Sequence, residues 1–201
     1  MFSFNKIITT LILTDLVMFT GWGLILPIFA IYIVQNIPGG DAQVVGIAAG
    51  IYFIVKAFAV IPIGRYLDNI KGEEDDFWFM FAGVLITGLV PLGYLAIQTP
   101  FHLYILQFVY ALGAAMYAPT WGGIFTRHID KDREASTWSV ESAMLGLGMG
   151  VAGFIGGFIA DKIGFAPLFV FVSIMNIMGG VGYLFIRDSL FQRGKTVIFP
   201  K

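Results

Sequence analysis

The chain has 201 residues, 58% of them hydrophobic and only 12% charged, with a mean hydropathy of +0.84. A soluble domain of this size needs about a quarter of its residues charged to build a polar surface, so lipid must cover most of this exterior. A net charge of −1 gives no basic field for nucleic acid, and with no cysteine there is no disulfide, thiolate nucleophile or cysteine-ligated metal.

Six runs approach the roughly 20 apolar residues that cross a hydrocarbon core: 7–34, 44–63, 77–97, 101–125, 137–160 and 165–186. The first is far longer than the core of a secretion signal and has no small-x-small cleavage site after it, so it reads as a permanent span. Asp41 is the expected N-cap of the second. Glu73, Glu74, Asp75 and Asp76 open the third, where the helix dipole favours negative charge. They read as a solvated helix start, with a cation site as the sharper alternative. Thr99-Pro100 opens the fourth span with a cap and a first-turn proline, and His102 beside it reads as an interface residue. The stretch 127–134 reads as a solvated loop. Pro27, Pro62, Pro91 and Pro119 each remove a backbone donor and invite a kink. His102 and His128 stand on different segments without a second ligand at metal spacing, so neither a metal nor a cofactor is expected. The expected fold is all-α: a polytopic membrane protein with one six-helix domain over 1–201 and a short C-terminal tail.

Charge placement sets the expected topology. Lys6, Arg65, Lys71, Arg127, Lys131, Arg133, Arg187, Arg193, Lys195 and Lys201 flank span ends on one side. Only Lys162 lies on the other, and Lys56 is inside a span. Positive residues concentrate in the cytoplasm, which puts both termini there, in the inner or plasma membrane of the cell.

The polar punctuation repeats. Gly64-Arg65-Tyr66-Leu67-Asp68 and Gly157-Phe158-Ile159-Ala160-Asp161 each close an apolar run and lie 93 positions apart. Pro27 and Pro119, like Asp15 and Gln107, lie 92 apart. A fixed offset indicates an internal repeat, here 1–98 and 99–201, each of three spans. Three spans per unit make the copies inverted, an arrangement that lets a transporter expose one site alternately to each side.

Gly64-x-x-x-Asp68 between spans two and three resembles the cytoplasmic signature of the major facilitator superfamily. Asp15…Gly21-Trp22-Gly23…Pro27 and the glycine-dense fifth span ending Gly156-Gly157-x-x-Ala160-Asp161 are similar to it too. The resemblance covers nearly the whole chain but only one six-helix half, like the N-terminal one, of the usual twelve helices. It implies a cytoplasmic gating role for Gly64, Arg65, Asp68 and Gly72, and a central cavity faced by spans one, two, four and five. Two departures stand out. The family's aspartate is commonly followed by Arg-x-Gly-Arg, whereas Asn69-Ile70-Lys71-Gly72-Glu73 follows here. Many proton-coupled members begin a fourth-span signature with arginine, where this chain has Gln107, and Tyr110 and Ala111 replace its usual glutamine and glycine. Proton antiport of that kind is not implied.

Ionisable side chains inside a membrane are costly and need partners or water. Asp15 and Lys56 each lie about eight residues from the cytoplasmic end of their spans, roughly 12 Å deep. They are expected to meet as an ion pair, with Glu141 joining or competing. Such a pair serves either as a coupling or substrate site or as a static buried contact. Asp15, Lys56, Gln107 and Glu141 fall on the four spans that the resemblance puts around the cavity. Trp22 and Trp121 line the same path or pack at the interface. Gly146, Gly150, Gly153 and Gly157 form a small-x-x-x-small stripe for close helix contact on span five, and Gly179 and Gly180 act similarly on span six. No nucleotide-binding loop or nucleophile–base set is present, so no enzyme is expected.

The expected function is secondary transport of a small molecule or ion by alternating access. The second half of the cavity is expected from an identical chain in a parallel homodimer or from another six-helix half, the third alternative being that the chain is a truncated product. The alternative is a non-transporting scaffold or regulatory partner of another membrane protein.

Overall fold

The computed structural model describes residues 4–70 and 72–196, with side chains through residue 191. Lys71 and Lys201, and the side chains of Arg193 and Lys195, all counted in the charge asymmetry, lie outside the described residues. In chain order the elements are α1 (Lys6–Ile25), a 3-10 turn (Leu26–Ile28), α2 (Phe29–Asn36), α3 (Ala42–Asp68), α4 (Glu74–Tyr94), α5 (Pro100–His128), α6 (Glu134–Lys162), α7 (Phe165–Gly182) and α8 (Leu184–Thr196). They make six passes long and apolar enough to cross a membrane, α1–α2 forming the first and α7–α8 the last. An even number of passes returns the chain to its starting side, called here the terminal face.

Several helices outrun their apolar segments: α3 continues to Asp68 and α5 to His128, while α6 already starts at Glu134. Only the hydrocarbon core demands apolar residues. A helix can continue through the headgroup layer with charged side chains such as Arg65 and Asp68, both exposed. Asp41 caps α3 as expected, its carboxylate accepting from Val44 N at 2.8 Å. Thr99 does not cap α5 through its side chain; its carbonyl oxygen instead takes the His102 and Leu103 N–H groups.

Only one of the four prolines interrupts its span. Pro27 sits in the 3-10 turn between α1 and α2, whereas Pro62, Pro91 and Pro119 lie inside continuous helices. Proline removes a donor and crowds the carbonyl four residues back. The last pass breaks at Tyr183, just after Gly179, Gly180 and Gly182, where Tyr183 N and Ile186 N make tight i→i−3 bonds.

Two apolar clusters fill the bundle. One, at the terminal face, gathers Ile8 and Leu11 of α1, Phe77 and Met80 of α4, Ile124 and Phe125 of α5, and Ile186 and Leu190 of α8. The other, at the opposite face, gathers Ile25, Ile33, Tyr94, Leu103, Phe169 and Val172. Buried polar groups are set among these apolar side chains: Asp15, Thr87, Gln107, Ser173 and Asn176.

Helix pairing follows a regular pattern. α1 packs on α6 and α7, α5 on α3 and α4, and α4 on α7. α3 and α6 are the least covered: 11% of each one's most apolar window is buried, against 50% for α4. The small-residue stripe that packs α6 on α1 is not the expected one. Gly146, Gly150 and Gly157 face open space, and of the four only Gly153 approaches span one, at Pro27. Gly148, Ala152 and Gly156 on the opposite side of the helix make the close contact. A Cβ on Gly156 would collide with the Leu24 backbone, and one on Gly23 would stand 2.8 Å from Met149 Cα. Both stripes obey the three-to-four-residue spacing of a helix face, so spacing alone leaves the helix's rotation open.

Candidate functional site

Asp15 is 2% exposed, and its Oδ1 accepts two hydrogen bonds, from Tyr117 Oη of α5 and Tyr183 Oη at the α7–α8 break, each 2.5 Å. The tyrosine hydroxyls are 3.4 Å apart. Thus the carboxylate joins spans one, four and six. The expected ion pair with Lys56 is not made: among the described residues, no carboxylate lies within ion-pair distance of Lys56. The physical reason is that Tyr117 and Tyr183 occupy one oxygen of Asp15, while α3 reaches the bundle through α5 rather than α1. Lys56 lies near the middle of α3 and holds its ammonium 5.7 Å from the Tyr52 ring centre. Glu141 is buried on α6, the helix that packs on α1.

Two adjoining cavities indent the bundle, the larger on the side of the opposite-face cluster, whose Ile25, Ile33 and Tyr94 line it. The larger, about 450 Å³, is bounded by α1, α2, α3 and α5 and lined by Trp22, Phe29, Tyr52, Tyr94, Gln107 and Tyr110, among others. The smaller, about 160 Å³, contains Lys56, Thr87, Tyr117 and Asn176. Phe19, Trp22, Tyr52 and Tyr110 line both. Three of these rings stack in series: Trp22 on Tyr110 at 4.6 Å and 29°, and Tyr110 on Tyr52 at 4.8 Å and 21°. Trp22 Nε1 donates to Asn176 Oδ1 at 3.0 Å, and Gln107 Nε2 donates to Tyr94 Oη at 3.2 Å.

The sequence residues thus divide. Trp22, Lys56 and Gln107 line the cavities, and Asp15 stands behind Tyr117, which lines the smaller one. Trp121 instead packs in the terminal-face cluster, stacked on Phe125 at 4.6 Å. The tyrosines were not singled out in the sequence. The available signal was their depth: a phenol in mid-span needs a partner for its hydroxyl, and that partner is a polar group of another pass.

A second polar cluster ties the terminal-face ends of α4 and α5. Arg127 Nε donates to Glu73 Oε1 at 2.8 Å, and the same guanidinium bonds buried Asp76. His128 is buried, Nδ1 against Ile124 O at 2.9 Å and Nε2 3.4 Å from Glu73 Oε2. The expected solvated loop therefore begins only after His128, because Arg127 finds two carboxylates at the start of α4. Gly64, Arg65 and Asp68 lie in the last turns of α3 rather than in a loop. Gly72 has φ +121°, a conformation that favours glycine. No group of three or more His, Cys, Asp or Glu side chains able to hold a metal occurs among the described residues.

A bundle of six passes long and apolar enough to cross a membrane, with buried polar groups and an aromatic-lined cavity, defines a polytopic integral membrane protein. The chain belongs to the Major Facilitator Superfamily, whose family model matches residues 11–197. An uncharacterized MFS-type transporter of Methanocaldococcus jannaschii is 27% identical over 182 residues. That match takes in 90% of this chain and 46% of the relative, so the chain spans about half the relative's length.

Proposed function

We propose that this chain moves a small solute by alternating access, as one of two six-helix units around a shared path. The observation that carries this reading is the cavity of about 450 Å³, with Trp22 and Gln107 in its wall and the Lys56 chamber beside it. Alternating access needs a site that two repeats can open in turn. The helix pairing supports repeats over 1–98 and 99–201. α1 rests on α6 as α5 rests on α3, and α5 on α4 as α1 on α7. Exchanging the two halves leaves this pattern unchanged and carries Asp15 onto Gln107. Asp15, with Glu141 near it, is the group through which an ion gradient is coupled.

The lysine and arginine asymmetry supports cytoplasmic termini in an inner or plasma membrane. Gly64, Arg65, Asp68 and Gly72 then act at the cytoplasmic gate. The uncovered sides of α3 and α6 carry Gly46, Gly50, Gly146, Gly150 and Gly157, each open to close approach. They support a parallel pairing in which a second copy completes the path.

The chain has no native cysteine, so Asp15→Cys and Gln107→Cys variants can be labelled from either side of sealed vesicles. The expected result is reaction whose sidedness changes with an imposed gradient, together with solute uptake by the unmodified protein. No reaction from either side under any gradient leaves a sealed scaffold instead.

A further inference from the structure

We propose that the paired cavities take an amphipathic organic anion, its ring system against the Trp22–Tyr110–Tyr52 wall and its carboxylate on Lys56. The inference deepens the transport reading above and rests on it for the movement of the ligand, though not for its binding.

Three observations converge on this class. The larger cavity has no charged side chain in its wall, and its polar groups are the Gln107 amide and tyrosine hydroxyls. A volume of about 450 Å³ suits a molecule of a few rings, within the roughly 300–1,000 Å³ of typical small-molecule sites. The indole and phenol rings of Trp22, Tyr110 and Tyr52, stacked on one another, border both chambers and offer them apolar ring edges, which suit an apolar ring-bearing body. Lys56 is the single charged residue in the smaller chamber, and its companions there, Thr87 and Asn176, are neutral. Asp15 does not line that chamber: Tyr117 stands in its wall and donates its hydroxyl to the carboxylate. Hence the chamber presents one positive charge, in a membrane interior where an ammonium requires a counter-ion. Trp22, Tyr110 and Tyr52 border both chambers, and Tyr52 carries the Lys56 ammonium 5.7 Å from its ring centre. A ligand that satisfies both ends has an apolar ring system and a single negative group.

The test uses the full chain in lipid nanodiscs, with protein-free discs to subtract partition into lipid. Three probes share one ring system: 2-naphthoate, the neutral 2-naphthamide and the cationic 2-naphthylmethylammonium. Equilibrium binding of each is measured. Naphthoate is expected to bind about tenfold or more tighter than the other two, the scale of one charge-assisted hydrogen bond. Lys56→Met is expected to remove that preference and leave naphthamide binding unchanged, and Lys56→Arg to retain it. Equal binding of acid and amide, preference for the ammonium, or naphthoate binding indifferent to Lys56→Met overturns the proposal. Should Lys56→Met not fold, the three-probe comparison on the unmodified protein decides alone. Uptake of naphthoate into vesicles separates the two readings. Selective binding without uptake removes transport and keeps the ligand class. Uptake of neutral or cationic solutes in preference, undisturbed by Lys56→Met, removes the ligand class and keeps transport.

Discussion

Asp15 shows how a single buried charge is held. Both of its tyrosine donors reach one carboxylate oxygen, so the group is tied to spans four and six without a cation. Hydrogen bonds between membrane helices are worth about 0.6 kcal/mol on average and up to about 1.7. Tyr183→Phe is therefore expected to lower stability by about 0.6–1.7 kcal/mol, read as a drop in melting temperature in detergent. Asp15→Asn keeps an oxygen that can accept from both phenols. It is expected to melt close to the unmodified protein while losing gradient-driven uptake, and full uptake in that variant would remove Asp15 from coupling. The depth of Asp15 was legible in the sequence, since a lone aspartate nine residues after Lys6 lies inside an apolar run. Its partners were not. Tyr117 and Tyr183 lie 102 and 168 positions away, and helical periodicity carries no information about which distant pass faces which.

At the level of elements, contact is set by which side of each helix is bare. Gly156 lies against the Leu24 backbone, so Gly156→Ala must push α6 from α1, at an expected cost of about 1–3 kcal/mol. Its neighbour Gly157 faces open space, and Gly157→Ala is expected to change the stability of the bundle by less than about 0.5 kcal/mol. Melting of the two variants side by side checks the rotation of α6 directly. The α4–α5 clamp gives a third expectation. Arg127→Ala leaves buried Asp76 without its cation, but the guanidinium is half-exposed and partly screened, so the loss should be about 1–2 kcal/mol. Arg127→Lys should recover part of it, as a point charge without the planar fork that now spans Glu73 and Asp76.

For the whole molecule, the uncovered sides of α3 and α6 set the expectation. If a second copy packs there, crosslinking in intact membranes yields a species of twice the chain mass. Gly150→Phe, at a position where an added Cβ has no neighbour within 4 Å, is then expected to lower that yield without lowering the melting temperature of the single unit. Crosslinking that returns monomer alone removes the pair. Six passes, their order and the cap at Asp41 follow from the sequence by itself, because apolar length and capping chemistry are local properties of the chain. The charge asymmetry and the spaced repeat are likewise written along it. Tertiary structure decided the rest: Lys56 standing free of Asp15, the two tyrosines on the carboxylate, and the packing of α6 through Gly148 and Gly156. The reason is rotational. A membrane helix apolar on every side carries no stripe to show which side meets its neighbours, so that angle is fixed only when the six passes pack together.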